Sequence, residues 1–156
     1  MRTFLFLFAA LTLSGNLLSQ NDSAAVAVLE DGDLEKYAET VYPMSKEFKE
    51  LGIKMEGKDE DMTAQWAATV EGKNILAKYG WDEKDFTAKF AAITWGYTYL
   101  MMKDEMDKLP EDQQAQMQIM MPMMSMYANL VHQDDMKLIK SHQDMLESAF
   151  KKLEEL

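Results

Sequence analysis

Six methionines stand within ten residues in the stretch QMQIMMPMMSMYANLVHQ, which spans residues 116–133. The chain has no cysteine, so its soft ligands are thioethers, which suit Cu(I). Thioethers three and four residues apart share a face of a helix, and an imidazole follows them with another thioether one helical turn further on. The stretch therefore predicts, as one of two readings, a copper site formed by Met117, Met120, Met121, Met124, His132 and Met136.

The same region also favours a contact surface, which is our first interpretation, with the copper site as the alternative. Methionine is flexible and polarisable, and it is over-used on surfaces that accept varied partners. Aromatic side chains of a preceding helix could complete such a surface. Its occupant would be a protein partner, a second copy of the chain, or an apolar small molecule. The contact residues predicted for it are Trp95, Tyr99, Met120, Met123, Met124, Met126 and Tyr127.

The width of the apolar arc indicates that these methionines must pack against other atoms. In a helix over 110–131, the apolar arc exceeds half of the circumference, whereas a surface helix needs roughly 100°. A helix over 83–107 carries two apolar stripes on opposite sides. Both faces of such helices must be covered by central packing, by a partner chain, or by a ligand. We expect these two helices, the third and fourth of the chain, to be innermost.

No catalytic motif accompanies this pattern. The chain has no G-x-S-x-G, no H-E-x-x-H, no calcium loop, and neither histidine follows a Glu by three residues as in di-iron bundles. The acid pairs in EDGD (30–33), DEDM (59–62) and QDDM (133–136) stand at loops or helix starts, where they are expected to cap helices or face solvent. His142, on an apolar face, is expected to be buried with one hydrogen bond. We predict that the protein is not an enzyme.

The first 25 residues resemble a secretory signal peptide in layout. Arg2 precedes an apolar run over residues 4–13, which is too short to span a bilayer, and a more polar tail follows. Cleavage after Ser19 or after Ala25 would release the mature protein, and an uncleaved anchor is the alternative. We expect a periplasmic or secreted protein with no membrane span after removal of the leader. Residues 20–32 are expected to form a loose lead-in to a domain over 33–156.

Charge and cysteine content narrow the function classes further. The net charge is −11, and cleavage after Ser19 makes it one unit more negative because Arg2 is the only charged side chain lost. Such a surface repels nucleic acid and anionic lipid, whose binding requires clusters of Lys and Arg. The absence of cysteine excludes disulfides and a lipid-anchored cysteine. Stability must therefore come from a hydrophobic core.

Helical periodicity runs through the mature part, with no alternating strand pattern. A stripe from Leu34 to Leu51 passes Pro43, which predicts one kinked helix or two short ones. A second helix is expected over 60–79, with Met62, Trp66, Val70, Leu76 and Ala77 inward. The third, over 83–107, has Asp82 as N-cap with Trp81 and Phe86 at the staple positions. The fourth covers 110–131, and a fifth begins near His132. The sequence predicts an all-α, single-domain bundle of four to six helices.

One segment resembles a known family. LPEDQQAQM (109–117) is similar to the L-T-x-x-Q segment of small periplasmic stress chaperones, helical proteins that cradle unfolded clients. Leu109 and Gln113 match that pattern, and Pro110 stands where it has Thr. The resemblance covers nine residues and implies client binding as a further possible function. Those chaperones present a basic or mixed surface, whereas this chain is acidic.

Overall fold

The protein is described by a computed structural model over residues 26–52, 66–110, 113 and 121–156, apart from the side chain of Met123. This part of the chain is mostly helical and contains no strand, which confirms the all-α prediction. Its helices are α1 (Asp33–Glu50), α2 (Val70–Lys78), α3 (Glu83–Asp107), α4 (Met121–Leu130), α5 (Gln133–Ser141) and α6 (Gln143–Leu153).

The start of α3 is built by local sequence. The Asp82 side chain accepts a hydrogen bond from the backbone N–H of Lys84 at 2.8 Å, which satisfies a free donor of the first turn. The rings of Trp81 and Phe86 meet edge to face, with centroids 5.6 Å apart, as the two staple positions predict. The predicted bounds of 83–107 are confirmed.

Helix α1 is one continuous helix with Pro43 inside it, not two short ones. Its predicted stripe is buried at Leu34, Tyr37, Val41 and Phe48. Leu51 is exposed instead, because the helix ends at Glu50 and the chain leaves through Gly52 at φ 69°. The stripe prediction is therefore correct within the helix and wrong at its last member.

The predicted inward face of the second helix is only partly correct, and Met62 lies outside the described residues. Trp66 and Leu76 are buried, but Val70 and Ala77 are exposed. The helical register is broken between them, since the Thr69 side chain accepts a hydrogen bond from Gly72 N–H and starts α2 anew. The apolar face therefore does not continue in one helical phase from Trp66 to Leu76.

The predicted fifth helix is divided in two at His142. The backbone N–H of His142 donates to Ile139 O, three residues back, where an α-helix would use Leu138 O. His142 Nδ1 lies 3.0 Å from Leu138 O, and Nε2 lies 3.0 Å from Oε1 of Glu35 in α1. The side chain is 30% exposed. The prediction of a buried histidine with one hydrogen bond is wrong, because the break turns the ring toward α1.

Helix α3 is central to the packing of the described helices. It contacts α1, α2, α4 and α5, while α6 covers α1. A Cβ on Gly96 of α3 would stand 2.4 Å from Ile139 Cδ1, so the small residue permits close approach of α5. Helix α4 packs chiefly against α3 and exposes Pro122, Ser125 and Asn129. The contacts of α3 agree with the prediction of an innermost position, and the described part of the fourth helix, Met121–Leu130, packs chiefly against α3.

The main core is joined by aromatic rings from α1, α3, α6 and the residues on either side of α2. Trp66 stacks on Phe48 with centroids 4.2 Å apart, and Tyr97 stacks on Phe150 at 4.4 Å. Edge or tilted contacts link these pairs. We call this network the aromatic core, formed by Tyr37, Phe48, Trp66, Trp81, Phe86, Phe90, Tyr97 and Phe150.

Residues 28–32 are anchored, in contrast to the predicted loose lead-in. The N–H groups of Val28 and Leu29 both donate at 3.0 Å to the carboxylate of Asp135, which is itself buried at the start of α5. The Leu29 side chain joins the hydrophobic core. Packing therefore begins at least five residues before the predicted start of the domain at residue 33. The predicted leader, residues 1–25, lies outside the described residues.

None of the helices in the described ranges combines the length and apolar character needed to cross a bilayer.

Candidate contact face

A second, smaller cluster lies between α3 and α4, and its members Trp95 and Tyr99 also pack against the main core. Met102, Met124 and Tyr127 are its buried members. Half-buried apolar side chains surround these three. We call the whole set the Met–aromatic cluster: Trp95, Tyr99, Met102, Met106, Met124, Met126, Tyr127 and Leu130.

The two apolar stripes of α3 explain how one helix serves both clusters. Phe86, Ile93 and Tyr97 are buried in the main core. Trp95, Tyr99, Met102 and Met106 recur at steps of four, three and four residues, which places them on one helix face. That face meets Met124 and Tyr127, three residues apart on α4. The long central helix thus presents rings to one side and thioethers with rings to the other.

Five of the seven predicted contact residues converge in this cluster: Trp95, Tyr99, Met124, Met126 and Tyr127. Met120 lies outside the described residues, as does the side chain of Met123.

Their exposures divide the five into two groups. Met124 and Tyr127 are only 6% and 2% exposed, so they pack against α3 and do not form an accessible surface. Burial also raises the pKa of the Tyr127 hydroxyl. Trp95, Tyr99 and Met126 are half-buried and can reach an additional molecule. The contact prediction is therefore limited to these three, because α3 already covers the face of α4 that carries the others.

Met102 is a cluster residue that sequence reasoning missed. Met102 lies three residues after Tyr99 and four before Met106, on the same face of α3 as both. The alternating four-and-three spacing of a helix face was the signal that could have found it.

The predicted copper ligands are not brought together within the described part of the chain. Met121 is 45% exposed, whereas Met124, three residues on, is buried in the Met–aromatic cluster. Met136 packs instead against the main core. His132 caps α5, where its Nδ1 accepts the backbone N–H of Asp134 at 3.2 Å. Met117 and Met120 lie outside the described residues.

Two acidic residues from the acid pairs noted in the sequence are buried and make specific contacts. Asp33 is buried, accepts the N–H of Glu30 at 2.7 Å, and pairs with Lys89 at 3.0 Å. Asp135 is buried and holds the N-terminal segment, which corrects the expectation that QDDM only caps a helix or faces solvent. Asp134 beside it is exposed and pairs with Lys137. The DEDM cluster lies outside the described residues, and no group of three His, Asp or Glu suited to a metal occurs within them.

No family model, no curated protein and no solved structure matches this chain. Inferences about its function therefore rest on its own geometry.

Proposed function

We propose that this chain is an exported, non-catalytic interaction protein that binds a protein partner through the Met–aromatic cluster. Its architecture is a single-domain bundle of four to six helices, released into the periplasm or secreted after removal of a signal peptide. The observation that carries the proposal is the convergence of Trp95, Tyr99 and Met126, all half-buried, from two helices onto one cluster.

The chemistry of this face suits a protein partner. Tyr, Trp and Met are enriched at the cores of protein interfaces, because they bury a large apolar area and leave few unpaired polar atoms. Methionine side chains can also change rotamer to fit a new surface. Since α4 packs chiefly against α3, a small displacement of α4 would disturb few other contacts among the described helices.

Charge favours a partner that differs from the chain itself. Two copies at net −11 repel one another, so self-association would need a large apolar contact to overcome this repulsion. A partner with Lys and Arg around an apolar centre would instead be attracted at long range. Homodimerisation is therefore the weaker form of the proposal, and an apolar small molecule is a further form.

Site-specific photo-cross-linking in the producing host tests the proposal directly. A photoreactive residue is placed at Met126 on the cluster, with Ser125 as a matched control on the exposed side of the same helix. We expect a cross-linked protein from position 126 and much less from position 125. Equal cross-linking from both positions, or none from 126, would contradict the proposed face.

A pair of methionine variants separates contact from core. Met126→Gln should reduce formation of the complex identified by cross-linking while the thermal unfolding transition is retained. Met124→Gln should lower the unfolding midpoint strongly, because it places an amide at a position that is 6% exposed. Loss of the whole transition in Met126→Gln would make Met126 a core residue. A cross-link to the chain itself would indicate a homodimer, and a small-molecule adduct in native mass spectrometry would indicate an apolar ligand.

Copper binding and client binding have less support from the described residues. A copper site needs Met121, Met124 and Met136 to converge, yet they stand in three different surroundings. An unfolding midpoint that does not change with added Cu(I) would count against it. Client binding rests on 109–117, most of which lies outside the described residues.

A further inference from the structure

Three buried hydroxyl groups of α1 and α3 have no hydrogen-bond partner within the described part of the chain. They are Tyr37 Oη, Thr94 Oγ1 and Thr98 Oγ1. The residues Tyr37 and Thr98 are each only 1% exposed, so bulk water does not reach them. Buried polar groups in native proteins nearly all have a partner, so three of them on facing helices require an explanation.

Helical hydroxyls elsewhere in this chain are satisfied in the ordinary way. Thr40 donates to the carbonyl of Lys36 at 2.6 Å and accepts from Trp81 Nε1 at 3.0 Å. Ser148 donates to the carbonyl of Asp144 at 3.1 Å. Thr94 and Thr98 do not make this bond to the preceding turn. Their hydroxyls are therefore available to a partner outside their own helix.

The hydroxyls of Tyr37 and Thr94 are neighbours in the core, and Thr98 stands one helical turn beyond Thr94. Phe90, Thr94 and Thr98 stand on successive turns of one face of α3. Tyr37 lies against that face, with its ring centroid 5.5 Å from that of Phe90. Burial raises the pKa of Tyr37, and the Thr94 hydroxyl beside it offsets this in part, although the two do not form a hydrogen bond of acceptable geometry. The Tyr37 phenol therefore remains neutral and keeps its proton for donation.

We infer that the interface of α1 and α3 binds an ordered water molecule, held by the hydroxyls of Tyr37, Thr94 and Thr98. A buried water typically makes about three hydrogen bonds, which these groups can supply as donors and acceptors. The surroundings favour water over a larger polar molecule, because the Phe90 and Phe150 rings pack against Tyr37 at 5.5 and 5.8 Å between centroids. Trp66 Nε1 also has no partner among the described residues, but its indole ring stacks on Phe48 and is not assigned to this water.

The sign of a stability change tests this inference. Thr94→Val, Thr98→Val and Tyr37→Phe each remove one hydroxyl with little change in volume. If a water bridges the three groups, each variant removes one of its partners, and the midpoint of thermal unfolding should fall by about 3 °C or more. Thr40→Val, which breaks two observed hydrogen bonds, is the control and should also lower the midpoint. If the midpoint rises in the three core variants while it falls in Thr40→Val, the hydroxyls are unpaired and the inference is overturned.

A crystal structure of the purified protein at high resolution gives the direct test. Electron density for one water within hydrogen-bond distance of Tyr37 and at least one of the two threonines is the expected result. That density should be absent or displaced in crystals of Tyr37→Phe. Direct hydrogen bonds between the protein hydroxyls, with no water between them, would overturn the inference. Density for a larger polar molecule would do so too, and would identify the hydroxyls as its binding site.

Discussion

The aromatic core and the Met–aromatic cluster lie on opposite sides of α3, and they are built from different chemistry. In the aromatic core, rings meet rings in defined geometry, as in the pair Trp66–Phe48 at 13° between planes. In the Met–aromatic cluster, the flexible thioethers of Met102 and Met124 surround Tyr127. Rings lose little conformational freedom on packing and prefer particular orientations, whereas methionine adapts to irregular gaps.

Their neighbours differ as well. Helices α1, α2, α5 and α6, together with α3, contribute to the hydrophobic core around the rings. Within the described residues, the members of the Met–aromatic cluster come from α3 and α4, and only Trp95 and Tyr99 of them also pack against the main core. We infer that the ring side holds the fold together and that the thioether side is the part able to rearrange around a partner. Substitutions on the two sides should therefore differ in their cost to stability.

The largest effect is expected from Phe86→Ala. Phe86 is fully buried, and its ring contacts those of Trp66, Trp81 and Phe90. Loss of its burial and the resulting cavity should reduce the free energy of unfolding by about 3–5 kcal/mol, as measured by urea denaturation.

Met102→Ala is the matched variant on the other side of α3. It should cost less, about 2 kcal/mol, because the flexible neighbours in the Met–aromatic cluster can partly close the gap. An equal or greater loss in Met102→Ala would remove the distinction between a rigid and an adaptable side.

A smaller effect is expected from Asp135→Ala, which tests how far the main core extends toward the N-terminus. The variant leaves the N–H groups of Val28 and Leu29 without their acceptor. We expect a loss of about 1–2 kcal/mol and faster amide hydrogen exchange at residues 28 and 29. Asp134→Ala, one residue earlier and exposed, should leave that exchange unchanged. Protection of both amides in Asp135→Ala would show that the segment is held by Leu29 packing alone.

The smallest effect is expected from Glu47→Gln. Glu47 in α1 is half-buried and accepts hydrogen bonds from Lys78 and Tyr79 at the end of α2. Hydrogen bonds from Lys78 and Tyr79 lower the pKa of Glu47 below its ordinary 4.5. A lowered carboxyl pKa stabilises the fold above the ordinary value, and this contribution disappears as pH falls through the lowered one. The unfolding midpoint of Glu47→Gln should therefore lie below that of the parent at pH 7, and the two should converge below about pH 4.5.

The stabilisation by the hydrogen bonds to Glu47 should also be lost at alkaline pH. The hydrogen bond to Glu47 raises the pKa of Lys78 and Tyr79 above their ordinary 10.5 and 10.0. A raised pKa stabilises the fold below the ordinary value, and the contribution is lost as pH rises through the raised one. The unfolding midpoints of Glu47→Gln and the parent protein should thus converge again as pH rises above about 10. Glu39→Gln, exposed on the same helix, removes an equal charge and should show neither convergence.

Elements with local signals were predicted well from the sequence. The bounds of α3 followed from Asp82, Trp81 and Phe86, because a cap and a staple act within one turn of the chain. The buried face of α1 followed from helical spacing, since one unbroken helix carries the stripe. Five of the seven predicted contact residues lie in one cluster, because helical spacing places those of α3 on one face and those of α4 on another.

Other features depended on contacts between distant residues. The spacing of Met121 and Met124 cannot show which one α3 will cover, since both lie on an apolar arc wider than one neighbour requires. The break at His142 involves Glu35, and the anchoring of Leu29 involves Asp135, both more than a hundred residues away in sequence. Sequence alone thus determined the all-α class, the bounds of α3 and which helix faces are apolar, because these properties follow from neighbours along the chain. Only the tertiary structure decided which apolar faces are buried and which polar groups are paired, because burial and pairing depend on the elements that meet in space.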